Sequence, residues 1–229
     1  MKKIVTLSGV LCVIASMSFA KLSGDEEKRL REASTVVNEL RSAPDQGIPQ
    51  DLWNKAQCVV VIPSMKKAAF VVGGEYGSGV MSCRTAGDWS APVFMQLAKG
   101  SVGFQIGAQE TDLVLLIMNR RGLEKLLSDK VSLGADASIA AGPVGRTASA
   151  ATDAQLSAEI LSYSRSQGLF AGINLSGGTL KPDKEANVRA YGSNVAVRDI
   201  AVGVDHPALA PAAPFLSSLR QSSTAAPAN

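Results

Sequence analysis

Gly73-Gly74-Glu75-Tyr76-Gly77-Ser78-Gly79 opens the stretch that decides the fold: between Gly73 and Gly178, sixteen of the chain's 21 glycines separate short runs of Val, Ile, Leu and Phe. That punctuation belongs to strands and tight turns. The segments read as strands are Ala69 to Gly73, Gly79 to Arg84, Val93 to Leu97, Ser101 to Gly107, Asp112 to Met118, Val131 to Ala141, Gly145 to Ala150 and Gly168 to Ser176. One short helix, Asn119 to Leu127, interrupts them. The opening glycine run itself reads as a hairpin, because it lacks the Gly-Lys-Ser/Thr ending of a phosphate loop and a strand follows it.

Upstream, Cys58-Val59-Val60-Val61-Ile62 is a continuous apolar run halted by Pro63, which suits a strand buried on both faces. A short helix starting at Pro49-Gln50-Asp51-Leu52-Trp53 leads into it. Earlier still, Ser23-Gly24-Asp25-Glu26 reads as a capping box, followed at helical spacing by Leu30, Ala33, Val36, Val37 and Leu40. This helix ends near Ala43-Pro44, and its polar face mixes acids with Lys28, Arg29, Arg31 and Arg41. A helix that lies on anionic membranes carries a Lys/Arg-dominated face, so docking on the protein's own core is the better reading. Downstream, Thr179 to Ala190 is charged, contains Pro182 and reads as a loop entering a helical segment. The tail is rich in Pro, Ala and Ser, with Phe215 to Leu219 as one docked turn. The order helix, antiparallel sheet, helix predicts an α+β fold, with a Gly-rich, curved or barrel-like antiparallel sheet flanked by N- and C-terminal helices.

With 229 residues, 46% hydrophobic and 19% charged, the chain suits one or at most two compact domains. The expected organisation is a leader at 1–20, a domain at 21–204 and a tail at 205–229. Residues 1–20 have the parts of an export signal: Lys2-Lys3, an apolar run from Ile4 to Ala15, and small residues ending in Ser18-Phe19-Ala20. Cleavage is expected after Ala20, giving a periplasmic or secreted protein. The alternative, a retained anchor, has an apolar run shorter than the roughly 20 residues a span needs. Cys12 reads as an ordinary leader residue, since Leu11 precedes it where a lipid-attachment site would carry a small residue. Removing Lys2 and Lys3 with the leader leaves 21 basic against 20 acidic residues, a balance that excludes a general nucleic-acid binder. Cys58 and Cys83 then remain. An oxidising compartment allows them to pair, and two buried free thiols are the alternative.

The chain has one histidine, His206, in the Pro-rich tail. Ser149, Ser164 and Ser176 have no base beside them, so a hydrolase reading has little support, and no catalytic residue is assigned. Two distant cysteines and one remote histidine do not make a zinc site; no metal or cofactor is expected. Glu75, Asp88, Glu110, Asp112 and Asp136 are scattered over turns and strand ends. Gly142-Pro143-Val144-Gly145-Arg146 reads first as a turn between small-residue strands, with Arg146 either capping carbonyls or facing an anionic ligand. Basic residues are the better candidates for function: Lys66, Lys67, Arg120, Arg121, Arg146 and Arg165 fall in loops or at element ends, where convergence would make a phosphate-binding patch.

Three blocks together go beyond the generic. Gly103-Phe104-Gln105-Ile106-Gly107 with Thr111 to Leu116, Ala141-Gly142-Pro143-Val144-Gly145-Arg146, and Ser162-Tyr163-Ser164-Arg165-Ser166-Gln167-Gly168-Leu169-Phe170-Ala171-Gly172 closely resemble the signature of the SYLF domain family. Val59 to Pro63, Asp88 to Pro92 and Arg189 to Gly192 fit the same family in the same order, so the resemblance covers roughly residues 30 to 204. It implies a non-enzymatic lipid-binding module that takes phosphoinositides or other anionic phospholipids, joined in fungal and animal members to actin-patch and endocytic functions. In animal members membrane binding involves an N-terminal amphipathic helix, here corresponding to Leu22 to Arg41, whose mixed charge departs from that pattern. The export signal sets this chain apart from a cytosolic actin network. The expected function is therefore adsorption to anionic phospholipid at the cell envelope. The alternatives are a structural or protein-interaction module with an unidentified envelope protein partner, and, against the evidence of the single histidine, an enzyme acting on lipid or glycan.

Overall fold

Helix α1 (Gly24–Arg41) begins where the capping box places it: the Ser23 N–H donates to the Glu26 carboxylate at 2.5 Å. The chain is described here from a computed structural model that covers residues 22–42, 47–69, 72–102, 109–145, 155, 157–166, 169–204, 206 and 209–224. Leu30, Ala33, Val36, Val37 and Leu40 of α1 are all buried, as their spacing requires. A second helix, α2 (Gln50–Lys55), leads into the sheet.

The sheet contains β1 (Cys58–Ala69), β2 (Val72–Cys83), β3 (Val93–Val102), β4 (Gln109–Ile117), β5 (Val131–Ser132), β6 (Ile139–Ala141), β7 (Ile160–Ser166), β8 (Leu169–Gly172) and β9 (Gly178–Pro182). Their order is β5-β9-β3-β2-β1-β4-β7-β6, with β8 also paired to β7. Every pairing is antiparallel except β6 with β7. Between β4 and β5 lies α3 (Arg120–Leu126); after β9 come α4 (Lys184–Tyr191), α5 (Val197–Val202) and α6 (Ala213–Thr224).

Both faces of β1 are buried from Cys58 to Ile62, and alternation divides them between two cores. Val59 and Val61 join Leu30, Trp53 and Phe215 beneath α1, α2 and α6. Cys58, Val60 and Ile62 join Met81, Leu97, Leu115, Leu133 and Leu180 on the other side. The second core is built largely from the strands' own side chains, with α3 and α5 supplying Leu126 and Ile200, because the sheet curls over its concave face as a half-barrel. Cys58 and Cys83 oppose one another in the β1–β2 ladder and are joined as a disulfide within this core.

Where β1 crosses the middle of the sheet it bulges. Its register shifts against both β2 and β4 between Val61 and Lys66, and Ser64 takes a left-handed φ of 49°. The Ser64 N–H freed by the bulge donates to Asp112 Oδ1 at 2.9 Å. The bulge also explains the glycine run opposite. A Cβ on Gly79 would lie 2.7 Å from Ile62 Cα, and one on Gly77 would lie 3.0 Å from Met65 Cγ. The run from Gly73 to Gly79 is therefore not a hairpin but the first half of the continuous strand β2, kept free of side chains where the bulged neighbour presses on it.

Other expectations change in extent. Val131 to Ala141 is not one strand, because a turn at Gly134 (φ +89°) separates β5 from β6. Gly168 to Ser176 shortens to β8, and the segment read as a loop after Gly178 supplies β9 between β3 and β5. In the tail, α6 runs for 12 residues and packs along α1, where one docked turn was expected. Pro214 sits in its first turn, where a missing N–H costs nothing. The leader at 1–20, most of the Ser101–Gly107 and Gly145–Ala150 segments, and Arg146 lie outside the described residues. Among the described residues no helix is long and apolar enough to cross a membrane.

Candidate functional site

The six basic candidates do not form a single cluster among the described residues. Arg120 and Arg121 open α3, whose N-cap Asn119 accepts the Gly122 N–H through Oδ1 at 2.9 Å. Their side chains are 88% and 80% exposed, with Arg120 3.1 Å from Glu124 and Arg121 3.9 Å from Glu159. Glu159 itself is buried and held by Lys125 Nζ at 2.8 Å and the Ser138 N–H at 2.8 Å. Burial acts to raise its pKa, but these bonds outweigh it and hold the carboxyl below its ordinary range.

Lys66 is at the far end of the sheet. It lies eight residues along β1 from Cys58, and Cys58 pairs with Ile117 just before α3. At 3.3 Å per residue that is about 26 Å. Around Lys66 is a shallow groove whose lining mixes Lys28 and Arg29 with Asp25 and Glu32, so its charge nearly cancels. Lys67 follows on β1, with its backbone opposite Glu75 and Gln109. Arg165 faces inward: it pairs with Glu39 of α1, lies 3.6 Å from Asp112, and rests its guanidinium 5.8 Å from the Phe170 ring centroid. Burial pushes the Asp112 carboxyl up, partly offset by the Ser64 N–H.

Sequence reasoning missed the feature beside α3. Between α2 and the segments carrying Pro143 and Ala158 lies a cleft of about 530 Å³, floored by Leu161 of β7 and Met118. Leu52 forms a wall, and Lys55 and Asn119 stand at the rim. Lys55 makes no ion pair among the described residues. A lone lysine ending a six-residue helix gives no sequence signal; the adjacent Arg120-Arg121 pair was the only pointer.

The same face of β7 shows what the signature blocks do. Two residues beyond Leu161, Tyr163 is wholly buried beneath Gly142, where any Cβ would overlap its ring. Gly172 in turn packs on the Gly142 backbone, leaving no room for a Cβ. Blocks distant in sequence interlock through these close approaches. The Tyr163 hydroxyl has no hydrogen-bond partner among the described residues, and burial, reinforced by Asp51, pushes its pKa well above the ordinary phenol range.

Two further contacts fix α1. Arg189 of α4 grips buried Glu26 through Nη2 at 2.5 Å and Nε at 2.9 Å, while Arg29 reaches Asp183 at 2.7 Å. Burial acts to raise the Glu26 pKa, yet the bonds from Arg189 and Ser23 win and lower it. The apolar stripe of α1 is thereby held against the core rather than presented to solvent.

A curled, mainly antiparallel sheet whose signature glycines lock around a buried tyrosine, closed by terminal helices, defines an α+β module of SYLF type. The chain belongs to the Ysc84/SYLF family: the family described as "Ysc84: Las17-binding protein actin regulator" matches residues 98–222. The chain is similar to LAS seventeen-binding protein 3 of Saccharomyces cerevisiae, 37% identical over 164 residues, which are 69% of this chain and 35% of the yeast protein. It is also similar to SH3 domain-containing YSC84-like protein 1 of Rattus norvegicus, 36% identical over 186 residues, 80% of this chain and 54% of the relative. The Homo sapiens protein of the same name is 35% identical over 178 residues, 77% and 51%. The chain thus spans about half or less of the curated relatives it matches.

Proposed function

We propose that this protein is a non-catalytic binding module that adsorbs to anionic phospholipid at the cell envelope after export. The observation that carries the reading is local: Lys55, which makes no ion pair among the described residues, stands at the rim of a cleft with Leu52, Ala158 and Leu161 inside, and the exposed Arg120 and Arg121 follow directly on Asn119 of the same rim. Cations beside an apolar recess suit a phosphate headgroup with acyl chains beneath it. At about 1 kcal/mol per Lys or Arg near an anionic surface, these three residues supply roughly 3 kcal/mol, weak and salt-sensitive. Lys66, Lys67 and Arg146 are secondary contacts in this reading, and Arg165, engaged with Glu39, has a structural part.

The test is co-sedimentation with anionic vesicles of the Arg120→Ala/Arg121→Ala double variant. A loss of about 2 kcal/mol, roughly thirtyfold in apparent affinity, supports the reading. Unchanged binding by a folded double variant overturns it. The relatives' names favour a second reading, since the family description and the yeast relative both name a protein, Las17, as what is bound. A folded protein that ignores every vesicle but retains one stoichiometric protein partner would support that alternative.

A further inference from the structure

The membrane reading leaves open what fills the cleft beside α3. Its volume of about 530 Å³ is in the range of sites that enclose small molecules. Leu161, Leu52 and Ala158 are 2%, 4% and 5% exposed, and with Met118 and Pro143 they make an apolar interior. Of the polar lining residues, Asn54, Lys55 and Gln57 are exposed at the rim and Asn119 and Gln155 are half-buried, with Asn54 accepting from Gln50 and Gln155 donating to the Ala141 carbonyl. The Oδ1 of Asn119 is occupied by the Gly122 N–H, while its Nδ2 has no acceptor among the described residues. Lys55, at the same rim, makes no ion pair among the described residues, and no carboxylate lines the cleft.

This division of chemistry selects the occupant. A sugar or nucleotide would leave its hydroxyls or ring nitrogens without partners against Leu161 and Leu52, a cost that apolar contact cannot offset. An amine would meet Lys55 with like charge. We infer that the cleft takes the single acyl chain of a monomeric long-chain fatty acid, with its carboxylate at Lys55 and the Asn119 amide. The inference deepens the phospholipid reading by assigning acyl-chain contact to this one cleft, and it can fail independently of that reading.

The experiment uses the full chain and saturated fatty acids of increasing length, each below its micelle concentration, read by displacement of a fluorescent fatty acid. Affinity rises about fourfold per added methylene until the chain outgrows the cleft. Lys55→Glu, on the exposed rim, weakens binding about tenfold. Leu161→Trp fills the floor and abolishes it; should that variant not fold, Met118→Trp fills the cleft from the partly exposed side. A fatty amine of matched length competes at least tenfold less well. Absence of saturable binding by protein with a native spectrum, an amine that competes equally, or affinity indifferent to chain length each overturns the inference. The same preparation is tested on anionic vesicles: vesicle binding without fatty-acid binding refutes only the cleft assignment, and fatty-acid binding without vesicle binding refutes only membrane adsorption.

Discussion

Tyr163→Phe is expected to stabilise this protein, against the usual direction of a core substitution. Tyr163 is 0% exposed and its hydroxyl has no hydrogen-bond partner among the described residues. A buried polar group left unpaired carries a desolvation penalty of about 1–3 kcal/mol. Removing one oxygen leaves a gap of less than a methyl group beneath Gly142, which returns part of the gain. The expected net effect is about 1 kcal/mol of stabilisation, or a Tm rise of about 2–4 °C for a domain of this size. Tyr191→Phe provides the internal control. The Tyr191 hydroxyl donates to the Pro92 carbonyl at 2.6 Å, so the same chemical change there costs about 1–2 kcal/mol. Urea unfolding of the two variants beside the parent, with slopes compared, reads both signs. A Tyr163→Phe loss above about 1 kcal/mol would refute the reasoning, because it would show that the hydroxyl is hydrogen-bonded in solution.

Three further outcomes follow from the packing and the charges. Glu26 and Glu159 are held below their ordinary 4.5, and Asp88 and Asp183 below 3.8. Their stabilisation is therefore complete above the unfolded values and is lost as pH falls through the lowered folded ones, while raised Asp112 works in the opposite sense. Urea midpoints should accordingly fall from about pH 5 to about pH 3, less steeply in Glu26→Gln; a flat profile would contradict the ion-pair assignments. Gly79→Ala places a Cβ 2.7 Å from Ile62 Cα and should cost about 1–3 kcal/mol in a thermal melt, with no effect if the β1 bulge were absent. Arg84→Ala removes bonds to the Ala56 and Trp53 carbonyls and Ser223 Oγ, and a guanidinium 4.6 Å from the Trp89 ring centroid. It should cost about 2–4 kcal/mol by the same assay, and a loss under about 0.5 kcal/mol would show that this clamp is not formed.

Much of this architecture is legible in the sequence where local chemistry and burial agree. Cys58 to Ile62 reads as buried on both faces because every residue is apolar, and the two cores divide it by alternation. Ser23 and Glu26 announce the start of α1, although nothing local tells that Glu26 also receives Arg189 from 163 residues away. Strand β9 escapes notice because Thr179-Leu180-Lys181-Pro182 is short, half polar and ends in proline; its pairing with β3 and β5 comes from tertiary context. The glycines from Gly73 to Gly79 carry the signal of a turn, yet their reason is a bulge in a neighbouring strand. For the candidate site, Arg120 and Arg121 were visible as a basic pair, but separation along β1 divides them from Lys66. The cleft, assembled from α2, Met118 and Asn119 between β4 and α3, Pro143, Ala158 and Leu161 of β7, has no sequence signature at all.

The central claim is adsorption through charge at a membrane surface. Its most direct test is sedimentation of residues 21–229 with vesicles of neutral or anionic phospholipid across a salt series. The account predicts binding to anionic vesicles alone, declining steeply as the Debye length shrinks from about 10 Å at 0.1 M salt to about 3 Å at 1 M. Equal binding to neutral vesicles, or none to any vesicle by demonstrably folded protein, would contradict it.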